Sequence, residues 1–262
     1  MDAAFIDDIR QAYVISENEI KKYLRGKKLL IFGILILAVT VLLTVLPYAF
    51  GGQYNASTDV EYTFTTNISI ILELAVVLFT ATALVSEFED RTALVLFTKP
   101  VKKWVIFVGK LMASFIVMTA FTLIYYAYIA IFALIATGSA DIGLLTSLAM
   151  SILSIIGMSG IAMFMSAIAK KGSTASILTL MIFMFVIGLV AGLIQMYGKI
   201  DTWWCVTDAM NGIIAPFTAI PNIDLVYITW GNMEYLRAAG VMLVWGVVFN
   251  AIAYYLFQKR DF

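Results

Sequence analysis

The side chains able to do chemistry in this 262-residue chain are concentrated between Ser86 and Lys110. That stretch carries Glu87, Glu89, Asp90, Arg91, Lys99, Lys102, Lys103 and Lys110, and long apolar runs flank it on both sides. Acids at its start and lysines at its end suit ion pairing and helix capping rather than bond breaking. The chain has no histidine and one cysteine, Cys205. These counts exclude an HExxH zinc site, a Ser-His dyad, a His-ligated haem or copper, and an intrachain disulfide. We expect no catalytic residue and no metal site. One further acid, Glu73, falls inside an apolar run. A charge at mid-span costs about 2.5–3.5 kcal/mol on insertion scales, so Glu73 is a candidate pathway or dimer residue as well as a packing one. An aspartyl-type intramembrane hydrolase would need two mid-span aspartates, and the apolar runs hold none.

The elements that must position these groups follow from composition. Apolar residues make up 62% and charged residues 13%, with a mean hydropathy of +0.96. Soluble domains hold about 45–50% apolar residues, so this is an integral membrane protein. Apolar runs of about 20 residues or more, without two-residue alternation, select helices over barrel strands. The pattern predicts six spans, at Leu29–Phe50, Thr65–Val85, Pro100–Ala136, Leu144–Ala169, Thr174–Tyr197 and Arg237–Phe257. The fold class is all-α, with one transmembrane domain over residues 29–257. Residues 1–28 form an amphipathic elbow ahead of it and residues 258–262 a short tail.

The elbow puts Phe5, Ile9, Tyr13, Ile20 and Leu24 on one helical face. Asp7, Asp8, Arg10, Glu17, Glu19, Lys21 and Lys22 lie on or beside the other, with a break expected near Ser16. The first apolar run follows a long charged segment and no small-residue cleavage site follows it, so it reads as a retained span. All but Lys199 and Arg237 of the 17 lysines and arginines fall on one side of the six-span topology. Both termini and residues 86–103 are therefore expected in the cytoplasm, with the chain in the cell membrane. A net charge of zero gives no case for a nucleic-acid partner. Residues 198–236 form an extracytoplasmic segment in which Asp201–Phe217 can be drawn as a short helix, either an interfacial anchor or a lid. Asn55-Ala-Ser57 forms a sequon in the first loop of that side. Gly188 and Gly192 make a small-xxx-small face for helix packing or a dimer contact, and Gly157 with Gly160 makes another.

Within the charged stretch, Ser86 and Glu89 have the spacing of a capping box, and three acids crowd the helix start. Pro100 cannot sit inside a helix and suits the first turn of the next one. The reading is a helix over Glu87–Phe97, about 16 Å long, then a corner, then span three.

These residues resemble the signature of ABC-2-type transporter permeases. The matching positions are Glu87, Glu89, Thr92, Leu94, Pro100, Val101, Lys103, Gly109 and Lys110. Arg91 stands where that family often has glycine, and Lys103 where it often has arginine. The run Glu19–Arg25 is similar to the family's elbow, and Phe257–Phe262 to its Phe-x-Arg-Arg-Asp tail. The resemblance implies a permease subunit of an exporter, coupled to a separate cytoplasmic ATPase and paired with a second permease copy or homologue. The expected coupling interface is Glu87, Phe88, Glu89, Asp90, Arg91, Thr92, Leu94, Pro100, Lys103 and Lys110. It also implies that ATP and magnesium are held by the ATPase and that this chain binds no cofactor. The sequence agrees in having no Gly-x-x-x-x-Gly-Lys-Ser/Thr loop. The competing reading is an ion-coupled carrier or channel that uses Glu73.

Overall fold

The computed structural model describes residues 3–89, 101–218 and 235–260. The described residues are mostly helical and contain no strand, and six of their helices are long and apolar enough to cross a membrane. Helix α1 spans Ala3–Arg25 and α2 spans Lys28–Ala49, the first crossing segment. The second, α3, covers Ser57–Phe79. After a turn at residues 80–84 comes the short α4, Val85–Glu89. The third, fourth and fifth crossing segments are α5 (Lys103–Thr137), α6 (Gly143–Ile168) and α7 (Gly172–Gly198). A short α8, Val206–Met210, precedes the sixth, α9, Tyr235–Lys259.

Local chemistry explains several boundaries. Helix α3 starts eight residues earlier than expected because the Asp59 carboxylate accepts the Ala56 N–H at 3.2 Å, a favourable charge in the first turn. Helix α5 ends at Gly138, whose φ of 78° is left-handed, and the Gly138 N–H closes on the Leu134 carbonyl at 3.0 Å. At 35 residues α5 is about 52 Å long. A hydrocarbon core is about 30 Å thick, so α5 outreaches it or tilts strongly. Helix α7 widens into π-helical turns at Ile182–Ile187 and Ile194–Gly198, on either side of Gly188–Leu193.

The core lies between α3, α5, α6 and α9. It includes Phe64, Ile68, Leu72 and Phe79 of α3, Met118, Tyr125 and Ile129 of α5, Ile155 and Met158 of α6, and Met242 of α9. Glycines set the closest crossing. A Cβ on Gly160 would lie 2.9 Å from the Gly246 carbonyl, and one on Gly246 would lie 2.8 Å from that of Ile156. Close backbone approach of this kind is how helices associate where lipid is as apolar as the side chains. Gly157, against the Met242 carbonyl, belongs to the same crossing. By contrast, α2 and α7 expose most of their apolar side chains, Leu30, Ile34, Leu37, Phe185 and Leu189 among them.

Two expectations are corrected here. The expected break near Ser16 is absent, α1 being continuous through it; the stripe that α1 buries against the protein is the polar one. Asp8, Ala12, Ser16, Glu19 and Tyr23 are buried, whereas Phe5, Ile9, Tyr13 and Leu24 are about half exposed or more. Partners on α5 outbid the apolar stripe for the protein side, as shown below. Residues 201–217 do not form one helix either. They make α8 followed by 3-10 turns at Asn211–Ile213 and Ala215–Phe217. Val206, Ala209, Met210, Ile213 and Phe217 are nonetheless buried in the main core, so this piece is packed into the bundle.

Candidate functional site

The five described residues of α4, Val85–Glu89, make too little helix to be stable alone. Tertiary contacts hold it on every side. The Leu84 and Val85 amides donate to Ser166 Oγ of α6 at 2.9 and 3.1 Å. The expected capping box therefore does not form. Ser86 lies inside α4, where its hydroxyl donates to the Ala83 carbonyl at 3.3 Å. Ser166, far away in sequence, takes over the capping role. The Glu89 carboxylate is turned outward and accepts the Gly172 N–H at 2.7 Å, so it caps the start of α7 instead. Gly172 allows this approach, since a Cβ there would sit 3.1 Å from that same oxygen.

The last described residue of the chain closes another side. Arg260 donates to the carbonyls of Ala167 and Ala169 at 2.9 and 2.7 Å, at the C-terminal end of α6. A cation is favoured at that end of a helix. The same guanidinium lies 4.0 Å from the centre of the Phe88 ring, and Phe257 meets Phe88 edge-on. Partial burial of Arg260 lowers its pKa from the ordinary value. The tail motif thus ties α9, α6 and α4 together.

Beneath α4 lies a buried ion cluster. Lys110 of α5 is 1% exposed. Its ammonium donates to Glu87 Oε1 of α4 at 2.7 Å and to Glu19 Oε1 of α1. Lys22 of α1 lies 3.9 Å from Glu87, so a second cation offsets the second carboxylate. Gly109 makes this geometry possible. A Cβ at Gly109 would stand 2.8 Å from the Ala12 carbonyl and 2.9 Å from Ile15 Cβ. The Gly-Lys pair at the base of α5 is thus a seat for α1: the glycine lets the backbone in, and the lysine holds its carboxylate. Asp8 with Lys102 at 2.6 Å and Phe5 stacked on Trp104 extend the seat along α5. Tyr23 completes it by donating to the Phe79 carbonyl at 3.0 Å. Burial first, and then the Glu19 charge, raise the Tyr23 pKa well above the ordinary phenol value.

The sequence-derived candidates therefore fall into groups. Glu87, Phe88, Glu89 and Lys110 meet around α4. Lys103 reaches the Gln258 carbonyl at 2.8 Å beside them. Asp90, Arg91, Thr92, Leu94 and Pro100 lie outside the described residues, as does most of the helix expected over Glu87–Phe97. Glu73 is distant from this cluster. It is half-buried on the side of α3 that carries the exposed Thr66 and Ile70, and it makes no hydrogen bond or ion pair among the described residues. A Cβ on Gly188 or Gly192 would meet nothing within 4 Å, so this face of α7 packs against nothing in the described chain.

Sequence reasoning missed the roles of Glu19, Ser166, Gly172 and Arg260. It also missed Glu61, fully buried at the far end of α3, whose Oε1 accepts the Asp141 N–H at 2.7 Å. That bond ties the α5–α6 turn to α3. Arg260 was within reach as part of the tail motif. Ser166 and Gly172 carry no local signal, because their partners lie more than 80 residues away.

The arrangement around α4 can hold helices in register and pass on a displacement. Among the described residues it contains no cluster of His, Cys, Asp and Glu able to hold a metal ion. A family model described as "ABC-2 family transporter protein" matches residues 13–262. No curated protein matches the chain.

Proposed function

The chain belongs to the ABC-2 transporter family, and from that premise we propose that it is the membrane subunit through which a separate ATPase drives export. The observation that carries the coupling part is the convergence of α1, α5, α6, α7 and α9 on the five-residue α4. A short helix bonded to that many others is a place where one push reaches most of the bundle. On this reading Glu89 and the neighbouring Asp90, Arg91, Thr92, Leu94 and Pro100 meet the ATPase. Glu87 and Lys110 are interior, so they transmit rather than touch. Phe88 braces α4, and Lys103 braces α5, against α9 and the residues that follow it.

The ATPase would hold ATP and magnesium on the cytoplasmic side, where the lysine- and arginine-rich ends of the helices would also lie. A second permease copy would cover the exposed faces of α2 and α7, including Gly188 and Gly192. Glu73 would face that copy or the translocation path, since a carboxylate turned to hydrocarbon is costly. Within the membrane plane, α1 would rest with its exposed apolar stripe in lipid, as an elbow.

The test is co-purification of an ATPase with the tagged chain from its own cells, with ATP hydrolysis assayed in lipid. Glu89→Lys should lower recovery or stimulation of the ATPase while the chain still inserts. Ile142→Ala, exposed at the α5–α6 turn away from α4, should leave that association intact. Full ATPase recovery and stimulation with Glu89→Lys and with Asp90→Lys would overturn the coupling assignment.

A further inference from the structure

The junction of α1 and α2 carries a cleft that shares only Lys22 with the cluster beneath α4. Asn18, Lys21, Lys22, Arg25 and Gly26 line it, and its volume is about 590 Å³. The turn that closes it is sharp: Lys27 takes a left-handed φ of 59°, and Gly26 N–H closes on the Lys22 carbonyl at 2.8 Å. This turn sets the basic end of α1 directly beside the start of α2. No side chain caps the N-terminus of that 22-residue helix, so the positive end of its dipole adds to the field of the lysines.

The cations here are only partly neutralised. Lys21 pairs with Glu17 at 2.6 Å, and Lys22 leans toward Glu87 at 3.9 Å. Arg25 and Lys27 are exposed and make no ion pair among the described residues. Apolar side chains flank the cleft in sequence, with Leu24 and Leu30 60% exposed and Ile31 56%. With α2 crossing the bilayer from Lys28, the cleft would lie at headgroup level, with acyl-chain contacts available alongside.

We infer that this cleft binds the phosphate of an anionic phospholipid, with Arg25 and Lys21 as its main contacts and Asn18 as a neutral donor. A diester phosphate matches the donor set, and Arg supplies the planar fork that phosphate favours. Because Lys22 lines the cleft and also faces Glu87, an occupied cleft would draw Lys22 away from the ion cluster. Lipid composition would then bear on how firmly α1 is held to α4. The inference does not depend on the identity of any ATPase.

The full chain purified in detergent and exchanged into nanodiscs provides the test, with native mass spectrometry reading retained lipid. Discs of phosphatidylcholine with one-fifth phosphatidylglycerol are compared with phosphatidylcholine alone. The wild type should retain phosphatidylglycerol selectively. Lys21→Gln with Arg25→Gln should reduce that retention by about fivefold for each charge removed, the increment for a basic residue at an anionic surface. Lys170→Gln with Lys171→Gln, which removes the same charge from the α6–α7 turn, should leave retention unchanged. Equal loss in both variants, or no selectivity in the wild type, overturns the site. Inorganic phosphate raising the thermal midpoint as much as short-chain phosphatidylglycerol does would assign the cleft to a soluble anion and overturn the lipid assignment.

Discussion

Replacing Lys110 by methionine probes the ion cluster most directly. The substitution nearly preserves side-chain length and removes the charge. Lys110 is 1% exposed, and its carboxylate partners Glu19 and Glu87 have side chains only 9% and 14% exposed. Without the ammonium, those two acids face each other with water largely excluded, and Lys22, 3.9 Å from Glu87, offsets only part of their charge. Removing one member of a buried ionic group costs about 3–5 kcal/mol, because a charge is left uncompensated. At about 2–4 °C per kcal/mol for a chain of this size, the thermal midpoint should drop by about 6–20 °C. The assay is thermal unfolding of the purified protein in one fixed detergent, followed by tryptophan emission. The cluster also predicts a sign. Adding Glu19→Gln to Lys110→Met should recover part of the loss, because one repelling carboxylate is gone. A Lys110→Met midpoint within 2 °C of wild type, or a double variant that loses the sum of both single effects, would refute the reasoning.

Other positions give independent checks. Gly109→Val should push α1 off α5, since its Cβ would strike the Ala12 carbonyl. Overpacking of this kind costs about 1–3 kcal/mol, and limited proteolysis should show faster cleavage within residues 1–28. Arg260→Ala should cost about 1.5–3 kcal/mol through its charged bonds to the Ala167 and Ala169 carbonyls. Arg260→Lys should restore little of it, because an ammonium cannot span both carbonyls and stack on Phe88, as the thermal midpoint will show. Asp208, on α8, has its pKa raised by burial, while the Thr202 hydroxyl opposes the shift. The folded state therefore holds the proton more tightly than the unfolded chain. Stability should fall as pH rises from the ordinary aspartate range through the raised value, and Asp208→Asn should flatten that slope.

Much of the fold was legible because it rests on composition. Six apolar runs of span length, separated by charged or glycine-containing turns, leave little choice of class, and the matched boundaries depend on local devices such as Gly138. The site was legible only in part. The motif pointed to Glu87, Glu89, Gly109 and Lys110: the first two lie in α4, Lys110 bonds to it, and Gly109 packs against α1. Their partners could not be read, because a local capping rule gives way when a distant group fits better. Ser166 displaces Ser86 as the cap, and Gly172 draws Glu89 away. The stripe that α1 turns to the bundle was out of reach for a related reason. Periodicity finds the apolar face but does not say whether protein or lipid covers it. Here lipid-compatible residues point away from the bundle, and Asp8 and Glu19 point into it because lysines await them there.

This reversal bears on how a displacement at α4 would spread. In lipid, apolar contact does little to prefer one helix neighbour over another, so directional polar contacts and close glycine crossings decide which helices move together. Helix α4 is joined to α1 and α5 through Lys110, to α6 through Ser166, and to α9 through Arg260. Helices α6 and α9 are locked in turn by the Gly160–Gly246 crossing. These four helices should respond to α4 as one block. Helix α7 is tied to α4 at its first turn, through Gly172 and the Val85, Ala169 and Ala175 contact, and beyond it runs through π-helical turns with its apolar face exposed. Helix α2 has a polar link to the turn before α4, Lys28 to Thr82 at 2.8 Å, and leaves most of its apolar face exposed. On the proposed coupling, a push on α4 therefore moves the block against α2 and α7. Any path that opens should run along those two helices and the Glu73 side of α3.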